Sequence, residues 1–430
     1  MSAQVKAQPP LLAAMLSMTL LACTQNTAPN PDLIPTTQYE GEAMSRQWMG
    51  SFPAESDLAI LLDTQMAPVI KADDRDAYGQ RFLPTSWLDS VATAFESTDV
   101  EDAFYTENMD HEWRLVSARI TPCAPLGILP SQNIDAYCWP AVRLVWQPVV
   151  EDHRLSWGPI VDWFADDRAI HAIYPLQPRN IYGQRIDRSL LDEVSETLQA
   201  GNLPGYVNSQ AFFEQRDITS TWLLNNAYAL RDPRLDDTSW SQLDLRPETQ
   251  LDDDTLEAFR GRLWSFLVEF AQPEDLREMT SFSLPEGRNP AGSDIWVFVQ
   301  FLAENGRIYP NDLRVMGRES GQVLAKIGPS QTVAVSVEDE AIEAALAEGN
   351  RELADSLIIT GQDIAEKGEA MADPYQFLVP NTSCASCHRL NGLRFDFHSL
   401  SGFEDRGITV SPRVNKDVER DINWVRTRGL

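Results

Sequence analysis

WRLVSARI at residues 113–120 and AVRLVWQPVV at residues 141–150 mix β-branched, aromatic and polar residues in a way that is typical of strands. The run from Ala169 to Tyr174 has the same character. Ile295 to Leu302 is apolar on both faces, as a central strand would be. Asn305-Gly306 follows it and predicts a hairpin turn into the next strand. These stretches predict a sheet that is antiparallel or mixed.

Helical patterns alternate with these strands. Apolar residues recur at helical spacing over Arg188 to Ala200, Ser209 to Leu230 and Asp254 to Ala271, and acidic caps precede the first and third of these runs. A shorter helical stretch covers Asp89 to Ser97. The body of the protein, residues 43–337, is therefore predicted to be an α+β domain.

Composition and charge exclude several classes of function. The 430 residues include 64 acidic and 35 basic side chains, for a net charge of -29. Such a charge repels phosphate backbones, so nucleic acid is not an expected partner. The body contains no short motif typical of serine hydrolases, zinc proteases, P-loop proteins or dinucleotide-binding enzymes. Its own role is therefore not assigned from the sequence.

The first residues have the pattern of an export signal. Lys6 precedes an apolar run from Leu11 to Ala22, which is too short to span a bilayer. The run ends in Leu20-Leu21-Ala22-Cys23, which resembles the lipobox of bacterial lipoproteins. The resemblance implies a signal peptide over residues 1–22 and a lipid on Cys23. Because Thr24 rather than Asp follows, it also implies an outer-membrane lipoprotein on the periplasmic side. The alternative is an ordinary secreted protein with a chance cysteine.

Residues 23–42 are rich in Asn, Thr, Pro and Gln, and we interpret them as a flexible tether. Export also changes what the remaining cysteines are expected to do, because thiols outside the cytosol oxidise unless they are otherwise used. Cys123 and Cys138 lie between the two strands quoted first. A structural disulfide that closes a hairpin loop is therefore predicted, and would contribute about 3 kcal/mol. The alternative is two unpaired buried thiols.

Cys384, Cys387 and His388 form a C-x-x-C-H sequence near the C-terminus. This sequence resembles the haem-attachment motif of c-type cytochromes. The resemblance is confined to the last part of the chain and is specific only at the motif. It implies one covalent haem c, with thioethers on the two cysteines and His388 as the proximal iron ligand. The alternatives are a thioredoxin-like redox pair, a zinc site and a plain disulfide.

The sixth iron ligand is less determined, because no methionine follows His388. His398 is the predicted distal ligand, and Met371 is the second candidate. Met316 or His171 from the body are further alternatives, as is an open position on the iron. Paired imidazoles would give a lower potential than an imidazole with a thioether.

A small helical module resembling cytochrome c is expected over residues 338–430. The haem wall is predicted to come from a helical pattern, or two consecutive helices, over Glu338 to Lys367. Its apolar residues are Ile342, Leu346, Leu353, Leu357 and Ile364.

Taken together, these features predict a lipid-anchored periplasmic cytochrome that transfers single electrons to or from a redox partner protein. An electron carrier rather than an enzyme is expected. One alternative is a haem enzyme resembling peroxidases or oxidases, with an open iron site. The other is a haem-based redox or gas sensor.

Overall fold

The computed structural model describes part of the chain. The described residues are 48, 50–62, 69–96, 113–126, 135–152, 162–165, 169–200, 202–283, 295–311, 313–315, 318–320, 323–326, 332–333, 358–359, 373–375, 410 and 412–430. All of them belong to one compact unit, Tyr39–Leu430. Within them, no helix is long and apolar enough to cross a membrane.

Helices and strands both contribute extensively to this unit. The α-helices are α1 (Glu55–Leu58), α2 (Thr85–Glu96), α3 (Ser189–Gln199), α4 (Tyr206–Tyr228), α5 (Asp253–Phe270) and α6 (Pro412–Arg428). The strands are β1 (Ala59–Leu61), β2 (Trp113–Pro125), β3 (Cys138–Asp152), β4 (Asp162–Ala165), β5 (Ala169–Pro175), β6 (Glu278–Ser283), β7 (Ile295–Glu304), β8 (Arg307–Asn311), β9 (Leu313–Val315), β10 (Arg318–Ser320), β11 (Val323–Lys326), β12 (Thr332–Val333) and β13 (Ile358–Ile359). Short single-turn helices lie at Asp237–Trp240, Pro247–Gln250 and Pro273–Asp275.

One antiparallel sheet organises the fold. Its strand order is β1-β2-β3-β5-β6-β7-β11, with β4 paired to β3 and β8 paired to β7. The longest pairing joins β2 to β3, from Trp113 opposite Pro148 to Pro125 opposite Cys138. The predicted α+β class is confirmed, and the sheet is antiparallel rather than mixed. The module resembling cytochrome c stays a prediction.

The predicted caps and helical patterns appear in the structure with ends shifted by a few residues. Asp252 begins α5, and its Oδ1 atom accepts a hydrogen bond from the backbone N–H of Thr255 at 2.8 Å. Asp187 precedes α3 and accepts the backbone N–H of Ser189 at 2.8 Å. These carboxylates satisfy N–H groups that have no partner inside the helix.

The main hydrophobic core lies between the sheet and the helices. Strands β2, β3 and β5 present buried apolar side chains to it, and α2, α4, α5 and α6 add others. The contributing residues include Leu115, Ile120, Val142, Trp146, Ile170, Tyr174, Trp87, Leu223, Phe259, Phe266 and Trp424. Burying one large apolar side chain contributes about 1.5–3 kcal/mol, so this layer dominates the stability of the unit.

The last helix joins this same core. Val418, Ile422 and Val425 of α6 are buried with the side chains of the sheet. Their segment was predicted to belong to a separate module over residues 338–430. The boundary at residue 337 stays a prediction, but the core of the body includes the final helix.

The helical pattern over Glu338 to Lys367 is wrong at Ile358–Ile359. These two residues form β13, which pairs antiparallel with β12 at Thr332–Val333. Two consecutive β-branched residues favour extended backbone, and a pairing partner in β12 is present. The rest of the predicted helical span lies outside the described residues.

Candidate functional site

Most of the predicted site residues lie outside the described part of the chain: Cys23, Met371, Cys384, Cys387, His388 and His398. The signal segment, residues 1–22, and the tether, residues 23–42, also lie outside it. The structure therefore neither brings the predicted iron ligands together nor separates them.

No cluster of three or more His, Cys, Asp or Glu side chains within the described ranges is arranged to hold a metal ion. His171 lies on β5, half-buried, opposite Val145 of β3 and Thr280 of β6. Asp232 makes an ion pair with Arg234 at 2.6 Å. Hydrogen bonds from Arg234 lower the pKa of this carboxyl to about 2, against the opposing effect of burial.

Cys123 and Cys138 are joined by a disulfide in the structure. Their Cα atoms are 4.9 Å apart, and both side chains are fully buried. The bond ties the end of β2 to the start of β3, on the connection where the sequence predicted it. The residues beside it form several hydrogen bonds to the described C-terminal residues. We call Asp135–Cys138, Cys123 and their contacts the disulfide corner.

Asp135 in the disulfide corner binds two segments that are distant in sequence. Its backbone carbonyl accepts a hydrogen bond from Nε1 of Trp424 in α6, at 2.9 Å. Its Oδ2 atom accepts the hydroxyl of Tyr375, at 3.2 Å. Partial burial, followed by the negative charge of Asp135, raises the pKa of Tyr375 to about 12. The raised pKa favours the protonated hydroxyl, which is the form that donates this bond.

The indole of Trp424 lies close to two guanidinium groups. The Cζ atoms of Arg216 and Arg428 lie 5.2 Å and 5.8 Å from its ring centroid, within the range of cation–π attraction. Arg216 is fully buried in α4, donates to the carbonyl of Ala136, and pairs with Asp217 at 2.6 Å. Burial lowers the pKa of Arg216, and Asp217 opposes that effect. The corner thus couples α4, α6 and the disulfide loop.

A buried ion cluster fixes α6 to β2. Asp421 of α6 is fully buried and pairs with Arg119 of β2 and with the neighbouring Arg420, the latter at 2.9 Å. Arg420 also donates to the carbonyl of Cys123 at 2.8 Å, and Arg119 to that of Leu58 at 2.8 Å. Burial raises the pKa of Asp421, while Arg420 and Arg119 oppose the rise. A charge removed from such a cluster leaves its partner unpaired and buried.

Val410 lies at the start of the C-terminal part and packs against Leu61 and Val116. Tyr375 and Val410, which flank residues 376–409, thus both contact the body close to β2. Asp135 accepts the hydroxyl of Tyr375, and Asp421 pairs with two guanidinium groups. Such contacts are suited to holding chain segments together. The predicted haem motif lies between these two fixed points in sequence.

The sequence reasoning missed Asp135, Arg216, Trp424 and the Arg119–Asp421 pair. One signal was present. Val418, Ile422 and Val425 recur at helical spacing and predict an amphipathic helix with one buried face. The partners of that face lie hundreds of residues away and leave no local pattern.

Comparison with known proteins gives no relative. No protein-family profile matches the chain. No curated protein matches it, and no solved structure matches it.

Proposed function

We propose that the chain is a lipid-anchored c-type cytochrome on the periplasmic side of the bacterial outer membrane. It would carry one covalent haem on Cys384 and Cys387 and exchange single electrons with a redox partner protein. The observation that carries this proposal is a C-x-x-C-H motif in a chain whose residues 1–22 have the pattern of an export signal and are followed by Cys23. The two features are independent, and c-type haem is attached outside the bacterial cytosol.

The inventory of thiols supports the assignment. The chain has five cysteines, and the disulfide between Cys123 and Cys138 uses two of them. If Cys23 carries the lipid, the two thiols that remain are those of the motif. A pair of thiols and an adjacent imidazole is the donor set that c-type haem requires.

The hydrogen bond between Tyr375 and Asp135 limits how far a haem on Cys384 could lie from the body. Residues 376–383 separate Tyr375 from Cys384, and a fully extended chain keeps the two Cα atoms within about 32 Å. Because Tyr375 is bonded to Asp135, a haem on Cys384 would lie within reach of the disulfide corner. The body would then serve as the scaffold on which the haem segment and the redox partner meet.

Each residue of the motif has a separate role in this proposal. Haem supplies the one-electron chemistry when it is bound. Cys384 and Cys387 would hold it covalently, and the imidazole of His388 would occupy the proximal position. His398, or Met371 in second place, would fill the distal position and exclude small ligands.

Attachment is tested by the mass of the full chain, produced in a host that matures c-type cytochromes. The denatured protein should retain the mass of one haem, and a Cys384→Ala/Cys387→Ala variant should lose it. A Cys123→Ser/Cys138→Ser variant is the matched control. It should keep the haem because its thiols serve the fold. An unmodified wild-type polypeptide would end the proposal.

The distal ligand separates an electron carrier from the two alternatives. If His398 ligates, the reduced protein should bind carbon monoxide slowly, and His398→Ala should bind it fast with a changed visible spectrum. An unchanged His398→Ala spectrum would transfer the role to Met371, tested by Met371→Ala. Rapid binding by the wild type would instead favour an enzyme or sensor with an open iron position.

Lipid attachment is tested separately at Cys23. Radiolabelled palmitate should be incorporated into the wild type but not into Cys23→Ser. The variant should keep its haem, because the lipid and the haem are attached to different cysteines. Label on Cys23→Ser would contradict the assigned anchor while leaving the haem assignment standing.

A further inference from the structure

A seven-residue motif occurs twice in the body. Turn A is RDAYGQR at Arg75–Arg81, and turn B is RNIYGQR at Arg179–Arg185. Five of the seven positions are identical, and position 2 is Asp in one copy and Asn, its near-isostere, in the other. Turn B follows β5, and turn A follows backbone that is bonded to β2. A helix begins four residues after each copy, α2 at Thr85 and α3 at Ser189.

The two copies form the same backbone structure through the same bonds. The Oδ1 atom at position 2 accepts the N–H groups of positions 4 and 6, at 2.8 Å in turn A and 3.0 Å in turn B. The arginine at position 1 donates from Nη1 to the glycine carbonyl at position 5, at 2.6 Å in both. That glycine has φ of +80° in turn A and +75° in turn B, a conformation that favours glycine.

The tyrosine at position 4 is identical in both copies although the turn does not need its side chain. Only its backbone N–H takes part in the shared bonds, and any residue other than proline could supply that group. The side chains of Tyr78 and Tyr182 are 81% and 69% exposed. An exposed aromatic that serves no packing purpose, on a loop held by a rigid scaffold, is typical of a recognition residue.

Both turns are fastened to one helix. Trp264 of α5 donates from Nε1 to the carbonyl of Arg75, at 2.9 Å. Glu269 of the same helix pairs with Arg179. The two turns are therefore attached to the same helix within one compact unit.

From this duplication we infer that Tyr78 and Tyr182 are two equivalent subsites for a neutral polymer of repeating sugar units. Each phenol ring presents a flat apolar face for the C–H face of a pyranose, and a hydroxyl for its polar edge. Gln80 or Gln184 lies two positions on; the Oε1 atom of Gln184 already accepts the Asn180 amide at 2.9 Å, and the NH2 group of either glutamine is a donor type that sugar hydroxyls accept.

Charge and duplication select this class of ligand. A net charge of -29 repels polyanions, which disfavours anionic polymers as ligands of these subsites. Two copies of one weak subsite suit a ligand that itself repeats, because engagement of the second is then intramolecular. No residue of the haem motif takes part, so this inference and the proposed cytochrome function stand or fall separately.

Binding is tested with the full-length protein and two probes. One is a soluble hexamer of β-1,4-linked N-acetylglucosamine, and the other is purified, protein-free peptidoglycan sacculi. Tyr78→Ala and Tyr182→Ala should each weaken binding about three- to tenfold, and the double variant should weaken it further. Tyr206→Ala is the matched control, because Tyr206 is 78% exposed but lies outside both turns. It should bind like the wild type.

Three outcomes overturn the inference. The first is a wild type that does not bind the neutral hexamer, whether or not it binds sacculi. The second is a double variant that binds as well as the wild type. The third is a photo-crosslinking amino acid in place of Tyr78 that captures one defined protein in cells and no glycan, which would assign these turns to a protein partner. Binding to both probes would retain the inference and locate one source of the polymer in the cell wall, whereas binding to the hexamer alone would retain it and exclude peptidoglycan, whose stem peptides carry carboxylates.

Discussion

Turn A and turn B share one sequence motif and one set of backbone bonds, yet their surroundings differ. Arg75 of turn A is exposed, whereas the equivalent Arg179 is buried and paired with Glu269. A Cβ on Gly79 would meet nothing within 4 Å, but one on Gly183 would lie 2.3 Å from Trp222. The comparison shows that a short motif sets the local conformation, while packing decides how strongly each of its residues stabilises the fold.

The largest difference between the turns is expected at the glycines. Gly183→Ala should destabilise the protein by roughly 2–4 kcal/mol, because positive φ and the clash with Trp222 both oppose the new methyl group. Gly79→Ala meets only the backbone penalty, about 1 kcal/mol. Urea unfolding of both variants measures the free energies. Equal losses would show that packing around Gly183 does not matter.

The second-largest difference in stability between the turns is expected at the arginines of position 1. Arg179→Ala should cost about 2 kcal/mol, because it removes a buried guanidinium that pairs with the partly exposed Glu269 and stacks over Trp222. Arg75→Ala should cost about 0.5 kcal/mol or less, as exposed side chains usually do. A double-mutant cycle of Arg179→Ala with Glu269→Gln isolates the pair. A coupling energy near zero would contradict its role.

Substitutions at position 2 should destabilise the protein to a similar extent in the two turns. Asp76→Ala and Asn180→Ala each remove an acceptor of two backbone N–H groups, and each should cost about 1–2 kcal/mol. The control variants exchange the position-2 residues of the two turns. Asp76→Asn and Asn180→Asp keep the acceptor and should stay within about 0.5 kcal/mol of the wild type. Calorimetric melting of the four variants tests this, and a loss confined to one turn would break the equivalence.

The smallest effect on stability is expected at the tyrosines. Tyr78→Ala and Tyr182→Ala should change the free energy of unfolding by no more than about 0.5 kcal/mol, since both rings are exposed. Thermal melting monitored by circular dichroism checks this. A large loss at either position would give that tyrosine a packing role and would remove the reason to regard it as a recognition residue.

The elements of the body were predictable where their signals are local. Strands β2, β3, β5 and β7 follow from β-branched, aromatic or wholly apolar composition, and helices α3, α4 and α5 from helical spacing, within their own residues. The prediction went wrong at Ile358–Ile359, where apolar spacing indicated a helix and pairing with β12 decided otherwise. Strand pairing depends on a distant partner, which a local period does not contain.

The candidate sites also differ in whether their signals are local in sequence. The haem motif can be read from five consecutive residues because attachment chemistry depends on local spacing. The disulfide corner could not be read in this way, because Asp135, Tyr375 and Trp424 come from three distant segments. The repeated motif is present in the amino-acid sequence, but its two copies lie far apart in the chain and show no regular period. Only their shared hydrogen bonds and exposed tyrosines indicate a function.

The sequence by itself determined the α+β class, most of the elements, the cysteine pair between β2 and β3, and the expectation of export and covalent haem. These depend on side-chain periodicity and on the chemistry of neighbouring residues. Tertiary structure alone decided that α6 joins the main core, that Asp421 is buried between two guanidinium groups, and that Tyr375 is held at the disulfide corner. Burial and long-range pairing depend on which segments meet in space, and only the folded chain brings those segments together.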